Sequence, residues 1–436
     1  MRTGRLLTVN DTCGEYPPSY FAATADFMDP LPGVEGQLSC DVCVIGGGYT
    51  GLSTALHLAE RSVDTVLVEA HRIGWGASGR NGGQLGSGQR RTQTDLENLL
   101  GREHARQLWD LAQAANRLAK DLIARHAISC DLKPGVIHAD HRARFVAATH
   151  RYVDKLRSQY GYEDIQALTR AEICQHLQTE YYHGGSIDRG AAHLHPLNYA
   201  LGLGRAARAA GVRMFEHSPV LSYTSGGRCR VRLPNGCVDA GYVVVACNGY
   251  LQGLRTGRGD RTMPINNFII ATEPLPPAFA RQLIRDDVAV SDSKFVINYY
   301  RLSADHRLLF GGGENYSYRF PRDIKSFVRP HMLAVFPQLA DVDIDYGWGG
   351  TLAITMNRLP YLARLADNVL IAGGYSGQGV AMATLAGQIL AETVTGSTQR
   401  MAIMQRIPSY PFPGGRWLRW PLLVLAMSYY SLRDKL

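Results

Sequence analysis

The chain has no apolar stretch approaching the ~20 residues that a membrane-spanning helix requires. The opening Met1-Arg2-Thr3-Gly4-Arg5-Leu6-Leu7 is not followed by an apolar run suited to a signal peptide. Neither a membrane span nor a secretory leader is expected. Internal repeats and low-complexity tracts are also missing, which excludes solenoid and largely disordered architectures. The net charge is +8, yet the basic residues are scattered apart from small groups such as Arg255, Arg258 and Arg261. Without a basic stripe interleaved with aromatics, no nucleic-acid partner is expected. Cysteines at 13, 40, 43, 130, 174, 229, 237 and 247 form no disulfide framework, and a cytoplasmic location is the natural expectation.

What is present suits a globular enzyme. The 436 residues are too many for one simple core and suggest two intertwined domains. Residues 1–38 read as irregular. Cys40-Asp41-Val42-Cys43-Val44-Ile45 is an apolar run fit for a buried parallel strand. Glycines follow it, then a helix from Leu52 to Glu60, then a second strand, Thr65-Val66-Leu67-Val68-Glu69, completing a βαβ unit. Residues 91–130 read as helical, as does Pro196 to Ala210, ended by Gly211. Tyr242 to Ala246 and Val369 to Ala372 read as buried strands, the latter leading into a helix from Val380 to Thr393. Within 288–313, two antiparallel strands are expected, with Phe295-Val296-Ile297 and Leu308-Leu309-Phe310 at their hearts.

Gly46-Gly47-Gly48-Tyr49-Thr50-Gly51 carries glycines at the spacing of a dinucleotide-binding turn. Gly46 permits the tight turn off the strand, Gly48 lets a pyrophosphate reach the backbone, and Gly51 lets the helix pack against the sheet. Phosphates then meet a helix N-terminus, whose free N–H groups favour negative charge. Glu69 ends the second strand, where an acid would hydrogen-bond ribose hydroxyls. An internal control is Gly202-Leu203-Gly204-Arg205-Ala206-Ala207, a similar string that follows no strand and lies inside an expected helix. It should bind nothing.

Two further glycine clusters separate FAD from NAD. One is Arg72 to Gln84, directly after the second strand, long enough to wrap an extended cofactor. The other is Gly373-Gly374-Tyr375-Ser376-Gly377-Gln378-Gly379, which sets a second helix N-terminus where it could stabilise a reduced flavin. With Cys40 to Ser53, Ala77 to Leu85, His195-Pro196-Leu197-Asn198, Tyr299-Tyr300-Arg301-Leu302, Gly311-Gly312-Gly313 and Gly374-Tyr375-Ser376-Gly377, these segments resemble the D-amino-acid-oxidase-type FAD-dependent amine oxidoreductases. The tail motifs Tyr410 to Arg416 and Tyr429 to Asp434 narrow the likeness to the bacterial branch that oxidises gamma-glutamylputrescine.

The resemblance implies a mixed α/β (α+β) fold, with a Rossmann-like FAD-binding domain and a discontinuous antiparallel-sheet substrate domain. The FAD part is expected from 38–90, 195–255 and 345–400, the substrate part from 91–194 and 256–344, and terminal extensions from 1–37 and 401–436. Expected cofactor-binding residues are Gly46, Gly48, Tyr49, Thr50, Gly51, Glu69, Ala70, Arg72, Ala77, Ser78, Gly79, Arg80, Asn81, Gly82, Gly83, Gln84 and Leu85. Val220, touching adenine from a strand, joins them with Asn248, Gly249, Gly374, Gly377, Gln378, Gly379 and Val380. No Cys follows position 247 and no His lies between 72 and 103, so the FAD is expected to be non-covalent. The implied reaction is oxidation of an amine C–N bond by molecular oxygen, giving aldehyde and hydrogen peroxide. Alternatives are a quinone-linked dehydrogenase, another amine or amino-acid oxidase, an RNA-modifying flavoprotein, or a flavin-binding protein without turnover. Oligomeric state is not legible. Two departures from the family pattern stand out: Asn357-Arg358-Leu359-Pro360 where relatives have an acid, Gly and Pro, and Gln378 where His is frequent.

Individual residues keep competing readings. Tyr299, Tyr300, Arg301 and Gln378 are substrate-pocket candidates, with no catalytic residue assigned. Alternation along a strand lets only one of the two tyrosines face a site. Arg301 reads either as a carboxylate clamp or as a structural arginine. Glu273, Asp292 and Glu314 are candidate partners for a cationic amine, or solvated charges. Cys40 and Cys43, three apart on a strand, should point to opposite faces as core thiols. His193 and His195 share a face, but no third metal ligand is apparent, and no metal is expected. The apolar run Pro421 to Met427 is too short to span a bilayer.

Overall fold

The computed structural model describes residues 6–251, 254, 261–315, 317–413, 421–422 and 424–425, the side chains of 314 and 315 excepted. Arg255, Arg258, the Glu314 side chain, Gly414 to Arg416, Leu423, Ala426 and Met427 of the run Pro421 to Met427, and Tyr429 to Asp434 lie outside that description. Two large sheets organise the rest. The first runs edge to edge through Tyr361–Ala366, Val369–Gly373, Gly236–Val245, Gly36–Ile45, Thr65–Val68 and Arg213–Phe215. The last five are mutually parallel. Val42, Cys43 and Val44 are fully buried, as expected of a parallel strand covered on both faces.

The second sheet has nine strands and is antiparallel except where Ala289–Asp292 runs beside Lys133–Ala139. Its order is Ile344–Ile354, Met263–Thr272, Leu308–Asn315, Tyr299–Leu302, Ala289–Asp292, Lys133–Ala139, Gly185–His193 and Gln84–Leu85, with Ile165–Leu168 also on Gly185–His193. Gln84–Leu85 and Ile344–Ile354 therefore pair in this second sheet, although both fall in segments that the sequence assigned to cofactor binding.

Helices follow the expected breaks. Tyr49–Ala59 begins at the first glycine turn and Gly379–Val394 at the last. The two pack so closely that a Cβ on Gly387 would lie 2.6 Å from Ser53 Cβ and from the Thr50 carbonyl oxygen. The expected helical stretch 91–130 divides at Gly101, whose φ of 82° ends Gln93–Leu100 and starts Arg102–Arg125. The false dinucleotide string sits in helix Pro196–Ala209. There Gly202 and Gly204 make room for Ile128 and Met28.

Three expectations are corrected. Phe295 to Ile297 is a loop between Ala289–Asp292 and Tyr299–Leu302, not the heart of a strand, because Phe295 and Ile297 turn towards a cavity rather than a core. Val220 precedes the short strand Ser222–Tyr223 instead of lying in it. Cys40 and Cys43 both enter the same apolar cluster beside Val231 and Val243, so they do not lie on opposite faces. Burial pushes the Cys40 thiol up to about 12 and Cys43 further, leaving both as inert core groups. Among the described residues no helix is long and apolar enough to cross a membrane.

The tightest joint is the first one: a Cβ on Gly51 would stand 1.8 Å from the Gly46 carbonyl oxygen. Gly51→Ala must shift backbone and should cost about 2–4 kcal/mol or more of stability. Gly88→Ala, whose Cβ would meet only a Trp109 ring carbon at 3.5 Å, should melt like the parent protein. Thermal denaturation of the pair checks this.

Candidate active site

A cavity of about 510 Å³ lies where the two sheets meet. From the first sheet it takes the turn at Gly46, Gly48, Tyr49 and Thr50, with Glu69 and Ala70 at the end of the second strand. The glycine-rich wrap adds Ala77, Ser78, Arg80, Asn81, Gly82 and Gln84. Val220, Asn248 and the last turn, Gly377 to Val380, complete the expected set. From the second sheet come Ile265, Asn267, Ser291, Tyr299, Leu352 and Ile354, with Phe295, Ile297, Arg90 and Arg358 from neighbouring loops.

Both glycine-rich helices open on the cavity, so two sets of N-terminal N–H groups face it. Ser78 Oγ accepts from Tyr49 N at 3.0 Å, tying the wrap to the first helix start. Asn81 holds the wrap itself, donating to the Ala77 and Ser78 carbonyls and accepting from Gly83 N. Asn248 Oδ1 accepts from Gly374 N at 3.0 Å and so fixes the last turn. Glu69 accepts from Gly47 N at 2.6 Å and His71 N at 2.9 Å. Its burial raises the carboxyl pKa despite those bonds.

Several expected residues serve the site from outside the cavity. Gly51, Gly79 and Gly83 are close-approach positions, where a Cβ would collide with the carbonyls of Gly46, Gly74 and Leu194. Gly249 would press on the Leu352 carbonyl, and Gly374, at φ 71°, on Thr355. Leu85 is fully buried in the main core. Arg72 is a correction: its guanidinium pairs with buried Glu216 at 2.9 Å and lies over the Tyr16 ring, away from the cavity.

The segment Tyr299-Tyr300-Arg301 divides its labour. The Tyr299 ring lines the cavity, with its hydroxyl donated to Asn267 Oδ1. Gly311 and Gly82 give it room, since a Cβ on either would come within 2.7 Å of the ring. Tyr300 points the other way, stacked on Phe310 in the second core. Arg301 is a second correction: it is buried, and donates to the carbonyls of Gly82, Leu302 and Leu194 at 2.8–3.0 Å. All three nitrogens are thus committed to backbone, and it does not line the cavity.

The proposed amine partners fare similarly. Glu273 accepts from Asp343 N and lies outside the cavity lining. Asp292 is buried behind it, accepting from Asn298 N and Nδ2. Burial pushes its carboxyl up to about 6. His193 and His195 bond to the Asp287 carbonyl and to Thr24 and Asn198 N respectively. Burial and then Arg301 push both down to about 3. Among the described residues no group of side chains could hold a metal ion.

Sequence reading missed Asn267, Tyr250 and Arg90 as lining residues. No local motif marks them, because they reach the cavity only through tertiary packing. Phe295, Ile297 and Arg358 were visible but placed in a strand or noted only as a departure.

The lining fits FAD on its own features. A glycine-backed helix N-terminus faces the cavity beside a buried acid, and one buried Nη of Arg80 lacks any protein partner. If Glu69 holds the ribose, Glu69→Gln should weaken FAD binding about 10- to 100-fold by removing charge-assisted acceptors. Fluorescence titration of apoprotein with FAD measures this. Trichloroacetic acid should release the flavin into the supernatant, as expected from the lack of any Cys after 247 and of any His between 72 and 103.

Comparison with known proteins agrees with this geometry. Residues 41–393 match the model of a family described as FAD dependent oxidoreductase. The chain is 40% identical to gamma-glutamylputrescine oxidoreductase of Escherichia coli (strain K12), over 97% of this chain and 99% of that protein. It is 38% identical to a probable oxidoreductase, OrdL, of Rhizobium meliloti, over 96% and 97% of the two chains. Among solved structures, glycine oxidase from Geobacillus kaustophilus superposes with a TM-score of 0.70 at 21% identity, covering 82% of this chain and 95% of that one. The mixed α/β architecture, the cavity and these likenesses converge: the chain belongs to the FAD dependent oxidoreductase family, with FAD as its cofactor.

Proposed function

We propose that this enzyme oxidises the terminal amine of gamma-glutamylputrescine to an imine, with molecular oxygen as acceptor and hydrogen peroxide as product, and that water hydrolyses the imine to the aldehyde and ammonia. The observation that carries the reading is the likeness to gamma-glutamylputrescine oxidoreductase over nearly the whole of both chains. The first sheet and its glycine turns would form the cofactor-binding unit, and the second sheet the substrate side. Bound FAD supplies the two-electron acceptor for the hydride that leaves the amine-bearing carbon.

The chain's own residues set the conditions for that transfer. Phe295, Ile297, Ile265 and Ile354 provide apolar walls that exclude water from the reacting carbon. Among the described residues Glu69 is the only carboxylate in the lining, and it stands with the first glycine turn. No further acid among the described residues lines the cavity to neutralise an ammonium ion, so the amine binds neutral. Only the neutral form has the lone pair that assists hydride loss. The eight cysteines are all unpaired, which supports a reducing compartment, the cytoplasm. A quinone is the competing acceptor, favoured by Leu422 and Leu425, which are 40% and 67% exposed.

Mixing oxygen-free protein with gamma-glutamylputrescine should bleach the flavin's visible absorption, and air should restore it with release of peroxide. Recovery only with a quinone would move the protein to the dehydrogenases; no bleaching would remove the substrate claim. At low substrate the reduction rate should rise about tenfold per pH unit between roughly pH 7 and 9, because a primary alkylamine titrates near ~10.4. A flat profile over that range would contradict binding of the neutral amine.

A further inference from the structure

We propose that Arg358 is the specificity determinant of this site, binding a carboxylate carried by the substrate at a distance from the amine that is oxidised. The inference deepens the amine-oxidase reading above and rests on it. Arg358 lines the cavity, and its Cζ lies 5.4 Å from the centre of the Phe295 ring, another lining residue. An arginine laid on an aromatic face keeps its planar fork oriented and partly desolvated. That arrangement suits bidentate capture of a carboxylate.

The backbone under Arg358 argues for function. Its φ is 63°, in the left-handed region that glycine occupies without cost and long side chains seldom adopt. Such strain persists only where the surroundings impose it. Here they do. Asn357 Oδ1 accepts from Thr355 Oγ1 at 3.0 Å and Leu359 N at 3.1 Å, while its Nδ2 donates to the Pro408 carbonyl at 2.6 Å. Arg91 Nε donates to the Asn357 carbonyl at 2.7 Å. The turn is also tied to the last glycine loop, by Ser376 N to the Ala353 carbonyl and Thr355 N to Ser376 Oγ. Arg358 is thereby held at a set position relative to Gln378 and the second helix N-terminus. The cation that this turn carries stands in the cavity lining.

The electrostatics of the lining select the ligand. Arg90 joins Arg358 in the lining, where Glu69 is the one acid among the described residues. A carboxylate on the substrate would meet the Arg358 guanidinium here. Gamma-glutamylputrescine supplies such a carboxylate, beside an α-ammonium, at its glutamyl end and an oxidisable amine at the other.

Arg358→Gly is the decisive variant, because glycine accepts this φ without strain and the fold is retained. It should raise the half-saturating concentration of gamma-glutamylputrescine for anaerobic flavin reduction about 10- to 100-fold, as expected for loss of charge-assisted hydrogen bonds. N-acetylputrescine has the same terminal amine and amide but no carboxylate. Preference for the glutamyl substrate over it should fall by about the same factor, and Arg358→Lys should recover part of that preference. An unaltered preference overturns the proposal, as does an equal loss on both amines.

A second titration needs no turnover. Gamma-glutamylethylamide, which has the carboxylate but no terminal amine, should perturb the flavin spectrum of the parent protein and do so far more weakly in Arg358→Gly. If neither amine reduces the parent protein, the amine-oxidase reading fails by itself. The ligand titration then decides the carboxylate site: binding lost in the variant sustains it, and absent or unaltered binding overturns it.

Discussion

Contact between Gly51 and the carbonyl of Gly46 leaves no space for a side chain, and the cavity's geometry descends from that contact. It lets helix Tyr49–Ala59 start directly on the end of strand Gly36–Ile45, so that its first N–H groups open on the cavity. The same helix meets Gly379–Val394 through the second backbone approach, at Gly387. Two helix N-termini are therefore set relative to each other by glycines that stand outside the cavity lining. Charge stabilisation at both ends of an extended cofactor follows from packing alone.

The second sheet is fastened to this frame by groups that resemble site residues in sequence and act as joints in structure. Arg301 spends its guanidinium on the carbonyls of Gly82, Leu194 and Leu302, clamping the glycine wrap to the sheet. Buried Glu216, directly after the first-sheet strand Arg213–Phe215, accepts from Arg72 Nε and Ile73 N and ties the start of the wrap to the first sheet. These joints hold Tyr299 against Gly82 and Gly311 and present its ring to the cavity. Arg90, Arg358, Asn267 and Gln378 are among the polar side chains that line the cavity, with Glu69 beside the first turn.

Legibility in the sequence tracked how local each signal was. The βαβ unit, its glycines and Glu69 lie within one short stretch, and their meaning depends only on neighbours in the chain. The last glycine turn and its helix were equally plain. Arg301 could not be told from a carboxylate clamp, because its partners at 82 and 194 are distant in sequence and are backbone carbonyls, which leave no trace in composition. Phe295 and Ile297 mimic a strand in residue type, and only the tertiary fold turns them to the cavity. Arg358 was visible as a break from an expected glycine. Its significance appears once its backbone is seen in the left-handed region with its side chain over Phe295.

The central claim is that one cavity between the two sheets holds FAD on the first sheet's glycine turns, with its reactive end towards Tyr299 and Gln378. A crystal structure of the FAD-loaded protein tests it most directly. The account predicts pyrophosphate density over the backbone of Gly46 to Tyr49, ribose at Glu69, and the flavin ring between the Gly377–Gly379 turn and the second sheet. Density for the cofactor in any other part of the molecule, or a flavin ring facing away from Tyr299 and Arg358, would contradict it.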